Sequence, residues 1–173
     1  LLWFTPAQQT EAIIGGSLVT NPSTYPWMGS ISVSDVHQCG ATVVDQEWIL
    51  TANHCKTRYS SSWEDFKNRA TVRFGSNFAD SGGYTRSFID YREYPSLDVL
   101  LLKLSSPVNI TPITIISHGT MAYANVGNSG TIIGHAGNVL KQVNVPIVHT
   151  SNCDNDQSLI CAGAIGVGLN ASD

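Results

Sequence analysis

The chain has 173 residues, 42% of them hydrophobic and 13% charged, with 15 Gly, 7 Pro and 4 Cys. That length suits one globular domain, which can bury roughly 70% of its unfolded surface without help from metals or many disulfides. Thirteen acids against nine bases leave a net charge of −4, and no cluster of Lys and Arg could follow a phosphate backbone, which excludes nucleic acid as a partner. No apolar run approaches the roughly 18 to 20 residues of a membrane-spanning helix, so no membrane partner is expected. The charged fraction is about half the usual ~25%, with Ser, Thr, Asn and Gly supplying the polarity, a composition frequent in β-rich secreted proteins.

In chain order, Leu1-Leu2-Trp3-Phe4 opens without an initiator Met or a basic stretch, and residues 1–12 read as a signal-peptide or propeptide remnant. Short apolar or alternating runs then recur: Trp27 to Val33, Cys39 to Val44, Trp48 to Thr51, Ala70 to Phe74, Phe88 to Tyr91, Val99 to Leu104, Thr131 to Gly134, Val143 to Val148 and Leu159 to Cys161. Each reads as a strand, because none sustains the helical period beyond about ten residues. Asp80-Ser81-Gly82-Gly83, Ser106-Pro107 and Asn128-Ser129-Gly130 read as turns between them. The pattern predicts an all-β barrel or sandwich of antiparallel pairs with little helix. Asn109-Ile110-Thr111 and Asn170-Ala171-Ser172 match the glycosylation acceptor pattern, a short motif that adds mild support for a secretory route.

Two constellations carry chemistry. In Trp48-Ile49-Leu50-Thr51-Ala52-Asn53-His54-Cys55 a strand ends in a small-residue turn that places an imidazole beside a cysteine. If Cys55 is joined to Cys39, the closed loop is worth on the order of 3 kcal/mol and fixes where the His54 backbone sits. A zinc site from His37, Cys39, His54 and Cys55 is disfavoured, because adjacent His54 and Cys55 diverge from one backbone point and no Cys-x2-4-Cys knuckle is present. His37 is expected in an exposed loop. The second constellation is Asp98 at the mouth of the apolar run Val99 to Leu104, where a carboxylate must reach water or accept hydrogen bonds from a partner such as an imidazole. His54 and Asp98 stand 44 residues apart. The base and the orienting acid of a Ser-His-Asp triad in the same chain order are separated by roughly 45.

On these residues the chain resembles the chymotrypsin/trypsin family of serine proteases. Ile13-Ile14-Gly15-Gly16 resembles the family's mature N-terminus, Trp48 to Cys55 the segment of the catalytic His, and Asp98 to Leu104 that of the catalytic Asp. Val145-Pro146-Ile147-Val148 and Ile160-Cys161-Ala162-Gly163 also match. The resemblance implies an all-β fold of two antiparallel Greek-key barrels, the second incomplete, in one protease domain over residues 13–173. It also implies disulfides Cys39–Cys55 and Cys153–Cys161, although four cysteines by themselves allow three pairings. His54 is then the general base and Asp98 its orienting acid. The partners implied are protein or peptide substrates and protein inhibitors, for a secreted monomer made as a zymogen. No cofactor or metal is expected; the loop Ser76 to Tyr84, where the family can hold calcium, offers only Asp80 as an acid.

The family's nucleophile lies in a Gly-Asp-Ser-Gly-Gly segment downstream of Ile160 to Gly163, and residues 1–173 do not contain that segment. A C-terminal truncation is therefore expected, and an inactive fragment. Asp80-Ser81-Gly82-Gly83 spells part of the motif but falls between His54 and Asp98 in a solvated turn, and Ser172 lacks the following Gly-Gly, so neither is taken as the nucleophile. The base of the specificity pocket is assigned to Asp173, which would select basic residues, with Asn170 as the ungapped alternative and a neutral pocket. Ala12 precedes Ile13 where the family is cut after Arg or Lys, which leaves the activating protease open. Gly134-His135-Ala136 replaces the family's Gly-Trp-Gly, with His135 expected at the surface; His118 and His149 are expected in a loop and at a strand end. The alternative reading is a homologue that has lost catalysis and acts by binding.

Overall fold

Val99–Leu104 shows why the chain builds sheet: its side chains alternate between fully and partly buried, with Leu100, Leu102 and Leu104 sealed from solvent, the two-residue period of a strand with one face on a core. The computed structural model describes residues 16–116, 124–152 and 160–163. Its strands are β1 Ser17–Leu18, β2 Met28–Val33, β3 Val36–Asp45, β4 Trp48–Ala52, β5 Ala70–Phe74, β6 Tyr84–Arg86, β7 Phe88–Tyr94, β8 Val99–Leu104, β9 Ser129–Ala136 and β10 Val139–Pro146. Two short helices, α1 His54–Thr57 and α2 Trp63–Arg69, interrupt them.

Seven strands form one antiparallel sheet in the order β6-β5-β2-β3-β4-β8-β7. Its edge strands β6 and β7 are separated only by Ser87, so the sheet curls until both edges belong to one bent segment of chain; counted that way it is a barrel of six strands. Register shifts between Ile31 and Ser32, Val43 and Asp45, and Phe88 and Asp90 mark bulges, which raise the local twist that such curling needs. The interior packs Ile31, Val43, Ile49, Phe74 and the β8 leucines around Phe66 and Phe88, whose rings stack at 5.9 Å. This cluster is continuous, as one expects of a barrel closed on its own side chains.

Phe66 comes from α2, a helix absent from the sequence reading. Ser62 caps it by accepting from the Asp65 N–H, Glu64 and Asp65 occupy its first turn, and Lys67 and Arg69 its last. Seven residues are too few to display a helical period, so capping chemistry was its only sequence signal.

Among the described residues the second sheet has three strands in the order β1-β10-β9, with the N-terminal β1 paired to β10 through Ser17–Gln142 and Leu18–Lys141. Val143 and Val145 pack there with Ile132 and Ala162. It is clasped to the first barrel through the β9–β10 turn: the Ala79 and Asp80 N–H groups donate to Asn138 Oδ1, and the Leu140 N–H donates to the Asn77 carbonyl. Asp80-Ser81-Gly82-Gly83 is an exposed turn of the first barrel. Gly83 sits at φ +56° with Phe74 O only 1.9 Å from where a Cβ would stand, so its glycines serve a tight turn.

Candidate active site

The last rung of the β4–β8 ladder pairs Ala52 with Val99. Antiparallel geometry therefore brings the residues just past β4 beside the residue just before β8, and the Asn53 N–H donates to the Asp98 carbonyl at 3.0 Å. Asp98 follows a 3-10 turn over Pro95–Leu97 and adopts φ 51°, ψ 40°, a left-handed conformation that Asp tolerates better than most residues. From there its carboxylate reaches both donors of His54: the backbone N–H at 2.8 Å to Oδ1 and the ring Nδ1 at 2.6 Å to Oδ2.

These contacts fix the electrostatics. The two His54 donors, the ring first and then the backbone N–H, hold the Asp98 carboxyl below the ordinary carboxylate range, so it is ionised at neutral pH and only accepts. Nδ1 of a neutral His54 must then carry the proton, which leaves a lone pair on Nε2. Among the described residues no hydrogen-bond partner meets Nε2. The Asp98 side chain is 52% exposed, so it reaches water and an imidazole at once. The two options for a strand-end acid are both realised.

Three further ties hold α1, a single turn too short to be stable alone, and the strand end that leads into it. Cys55 is bonded to Cys39 on β3, with an S–S distance of 2.02 Å. Thr51 Oγ1, at the end of β4, donates to the Gly40 carbonyl at 2.8 Å. Lys56 pairs with Glu93 on β7, and its ammonium lies 4.4 Å above the centre of the Tyr91 ring. Nothing in the sequence singled out Lys56, since its partners are 35 and 37 positions away.

A groove of about 440 Å³ is lined by His54, the Cys39–Cys55 disulfide, Met28, Gln38, Tyr59 and, from β9, Ile132. Two of its histidines depart from expectation. His37, expected in an exposed loop, lies on β3 with Nδ1 2.7 Å from Ser30 Oγ, and burial lowers its pKa. Ser30 itself donates to the Ala79 carbonyl at 3.2 Å, so it accepts from His37. His135, expected at the surface, is only 7% exposed, packs its ring 5.1 Å from that of His37, and among the described residues has no hydrogen-bond partner on either nitrogen. Burial first, and then the neighbouring His37, push its pKa down to about 4. The surface placement expected of His135 is overturned: the ring that stands at the family's Trp position is covered on the groove wall.

His149 is exposed beyond the end of β10 and pairs locally with Ser151, and Asn109 is exposed in the loop after β8. Cys39, His54 and Cys55 bring ligand-type atoms within 4.8 Å of one another, but both sulfurs are spent in the S–S bond, so they offer a metal no thiolate. Cys161 is disulfide-bonded. Cys153, Ile13, His118, Asn170, Ser172 and Asp173 lie outside the described residues, as does the assignment of the pocket base.

A family model described as Trypsin matches residues 13–173. The chain belongs to the trypsin family. Trypsin delta of Drosophila erecta is 30% identical over 183 residues, covering 91% of this chain and 70% of that protein. Trypsin alpha of the same fly is 30% identical over 179 residues, covering 89% and 67%. Trypsin alpha-4 of Lucilia cuprina is 28% identical over 183 residues, covering 91% and 69%. Membership makes the chain a serine endopeptidase by family, and its curled sheet and second sheet are those of the trypsin-like double barrel.

Proposed function

We propose that the protein is a secreted serine endopeptidase in which His54 is the general base and Asp98 its orienting acid. The observation that carries this is the double hydrogen bond from His54 to one carboxylate, which leaves Nε2 as the free base. The nucleophile is a seryl hydroxyl from the family's Gly-Asp-Ser-Gly-Gly segment, which residues 1–173 do not contain. Nε2 takes the hydroxyl proton as the oxygen attacks a peptide carbonyl, and Asp98 stabilises the imidazolium that forms. His54 then returns the proton to the departing amine, and an acyl-enzyme is left for water to hydrolyse. The backbone N–H groups that stabilise the oxyanion flank the serine in this arrangement and enter with it. The substrates are proteins or peptides, and Asp173 at the pocket base would direct cleavage after Arg or Lys.

The test is hydrolysis of a peptide ester by protein that includes the serine segment, beside residues 1–173 alone. The longer protein should turn over, lose turnover on His54→Ala, and form a covalent adduct at one serine with an organophosphonate probe. Residues 1–173 alone should not exceed background. Turnover by the short chain that depends on His54, or a longer protein with another residue in place of the serine, would contradict this reading; the latter would make the protein a binding homologue.

A further inference from the structure

Lys56 is the least exposed basic side chain among the described ion pairs, at 12%, whereas the cations of the Lys67–Glu64, Arg69–Asp65 and Arg92–Asp90 pairs are 31%, 39% and 61% exposed. A lysine is rarely withdrawn from water to this degree unless its partners are well placed. Here they are two residues of one strand: the Glu93 carboxylate accepts from the ammonium, and the Tyr91 ring faces it at 4.4 Å. Tyr91 is held in turn by the Trp63 ring of α2 at 4.5 Å, over the barrel core.

The position of that strand gives the contact its meaning. In the β7–β8 ladder Glu93 pairs with Leu100 and Tyr94 with Val99, the neighbour of Asp98. Lys56 lies two residues after His54 on α1. One side chain thus joins the turn that carries the imidazole to the strand flanking the one that carries the acid. The disulfide anchors the same turn to β3, on the opposite side of β4 from β8. A four-residue helix without a capping side chain has little rigidity of its own, and anchors on two sides restrain it better than one.

We propose that Lys56, with Glu93 and Tyr91, is a positioning strut that sets the orientation of the His54 imidazole on Asp98. For its catalytic consequence this rests on the protease reading; for its test it does not, because the His54–Asp98 bond is present in residues 1–173. The readout is the Nδ1 proton of His54 in the NMR spectrum of the 173-residue chain, followed by its chemical shift and its exchange with water. Lys56→Met should speed that exchange at least roughly tenfold, between the near-zero effect of breaking an exposed pair and the large effect of breaking a buried one. Glu93→Gln should act in the same direction, and Lys56→Arg should restore slow exchange. Lys67→Met, which breaks the exposed pair on α2, should change nothing and controls for a general loss of stability. Exchange within twofold of the parent in both Lys56→Met and Glu93→Gln would overturn the proposal, as would an equal acceleration in Lys67→Met. In protein that turns over substrate, the strut's loss should lower kcat, by up to about 100-fold for a misplaced group, with KM little changed. A change confined to KM would overturn it as well. Loss of turnover in the parent itself would instead count against the protease reading and leave the exchange result standing.

Discussion

The first barrel and the second sheet hold their contents by different means. In the first, six apolar strands close over a core that includes Phe66, Phe74 and Phe88, and every residue that fixes the His54–Asp98 pair belongs to this barrel. The described part of the second sheet packs a far smaller apolar cluster around Val143 and Val145, buries a histidine without partners, and is joined to the barrel through the Asn138 turn. The hydrogen-bonded His54–Asp98 pair is thus assembled within one self-packed unit. The second sheet supplies one wall of the groove beside it.

The sharpest break of this contrast is chemical. Asp98→Asn, in protein that carries the serine segment, should reduce kcat about 10^4-fold, the magnitude that a wrong imidazole tautomer causes in a triad, without loosening the barrel. Next in size are paired core truncations followed by denaturant unfolding. Leu102→Ala, sealed inside the barrel, should cost about 2 to 5 kcal/mol, whereas Val143→Ala in the second sheet should cost about 1 to 2. Equal losses would remove the distinction between the two regions.

His135 sharpens it through pH. Its folded pKa of about 4 lies below the ordinary 6.5, so the unfolded chain takes up a proton that the folded chain refuses. Stability should therefore be full above pH 6.5 and fall as the pH drops from 6.5 toward 4, by about 3 kcal/mol at most. In His135→Phe that part of the acid sensitivity should vanish, which unfolding curves at pH 7 and 4.5 would show. Removing the Cys39–Cys55 bond by a double Ala substitution should cost about 3 kcal/mol from loop entropy and loosen α1, read as faster exchange of the His54 amide. The smallest effect concerns Asn53, buried with its Oδ1 unpartnered among the described residues and making no capping bond to α1. Asn53→Ala should be neutral or stabilise by about 1 kcal/mol in a thermal melt.

Much of the first barrel was legible because its strands carry their own period: Ala70–Phe74 and Val99–Leu104 appear in the structure at the limits that alternation assigned them. His54 and Asp98 were legible as a pair because their spacing and flanking residues agreed, although the partial exposure of Asp98 was not. What the sequence concealed depends on distant contacts. β6 is three exposed or half-exposed residues whose pairing with β5 only the folded barrel provides, and α2 is too short to declare a period. His135 is a polar residue with no local signal of burial; in the fold its ring lies against that of His37 on β3, a contact 98 positions away in the chain. Lys56 reads as an ordinary surface lysine until β7 is brought across the barrel.

The most direct test of the central claim, that His54 and Asp98 act as one catalytic unit, is a double-mutant cycle on kcat with His54→Ala, Asp98→Ala and the combination. Acting together, the pair should be grossly non-additive, with the double variant about as slow as His54→Ala alone. If the two losses instead multiply, so that the double variant is slower by the product of both, the carboxylate does not work through the imidazole and the account is wrong.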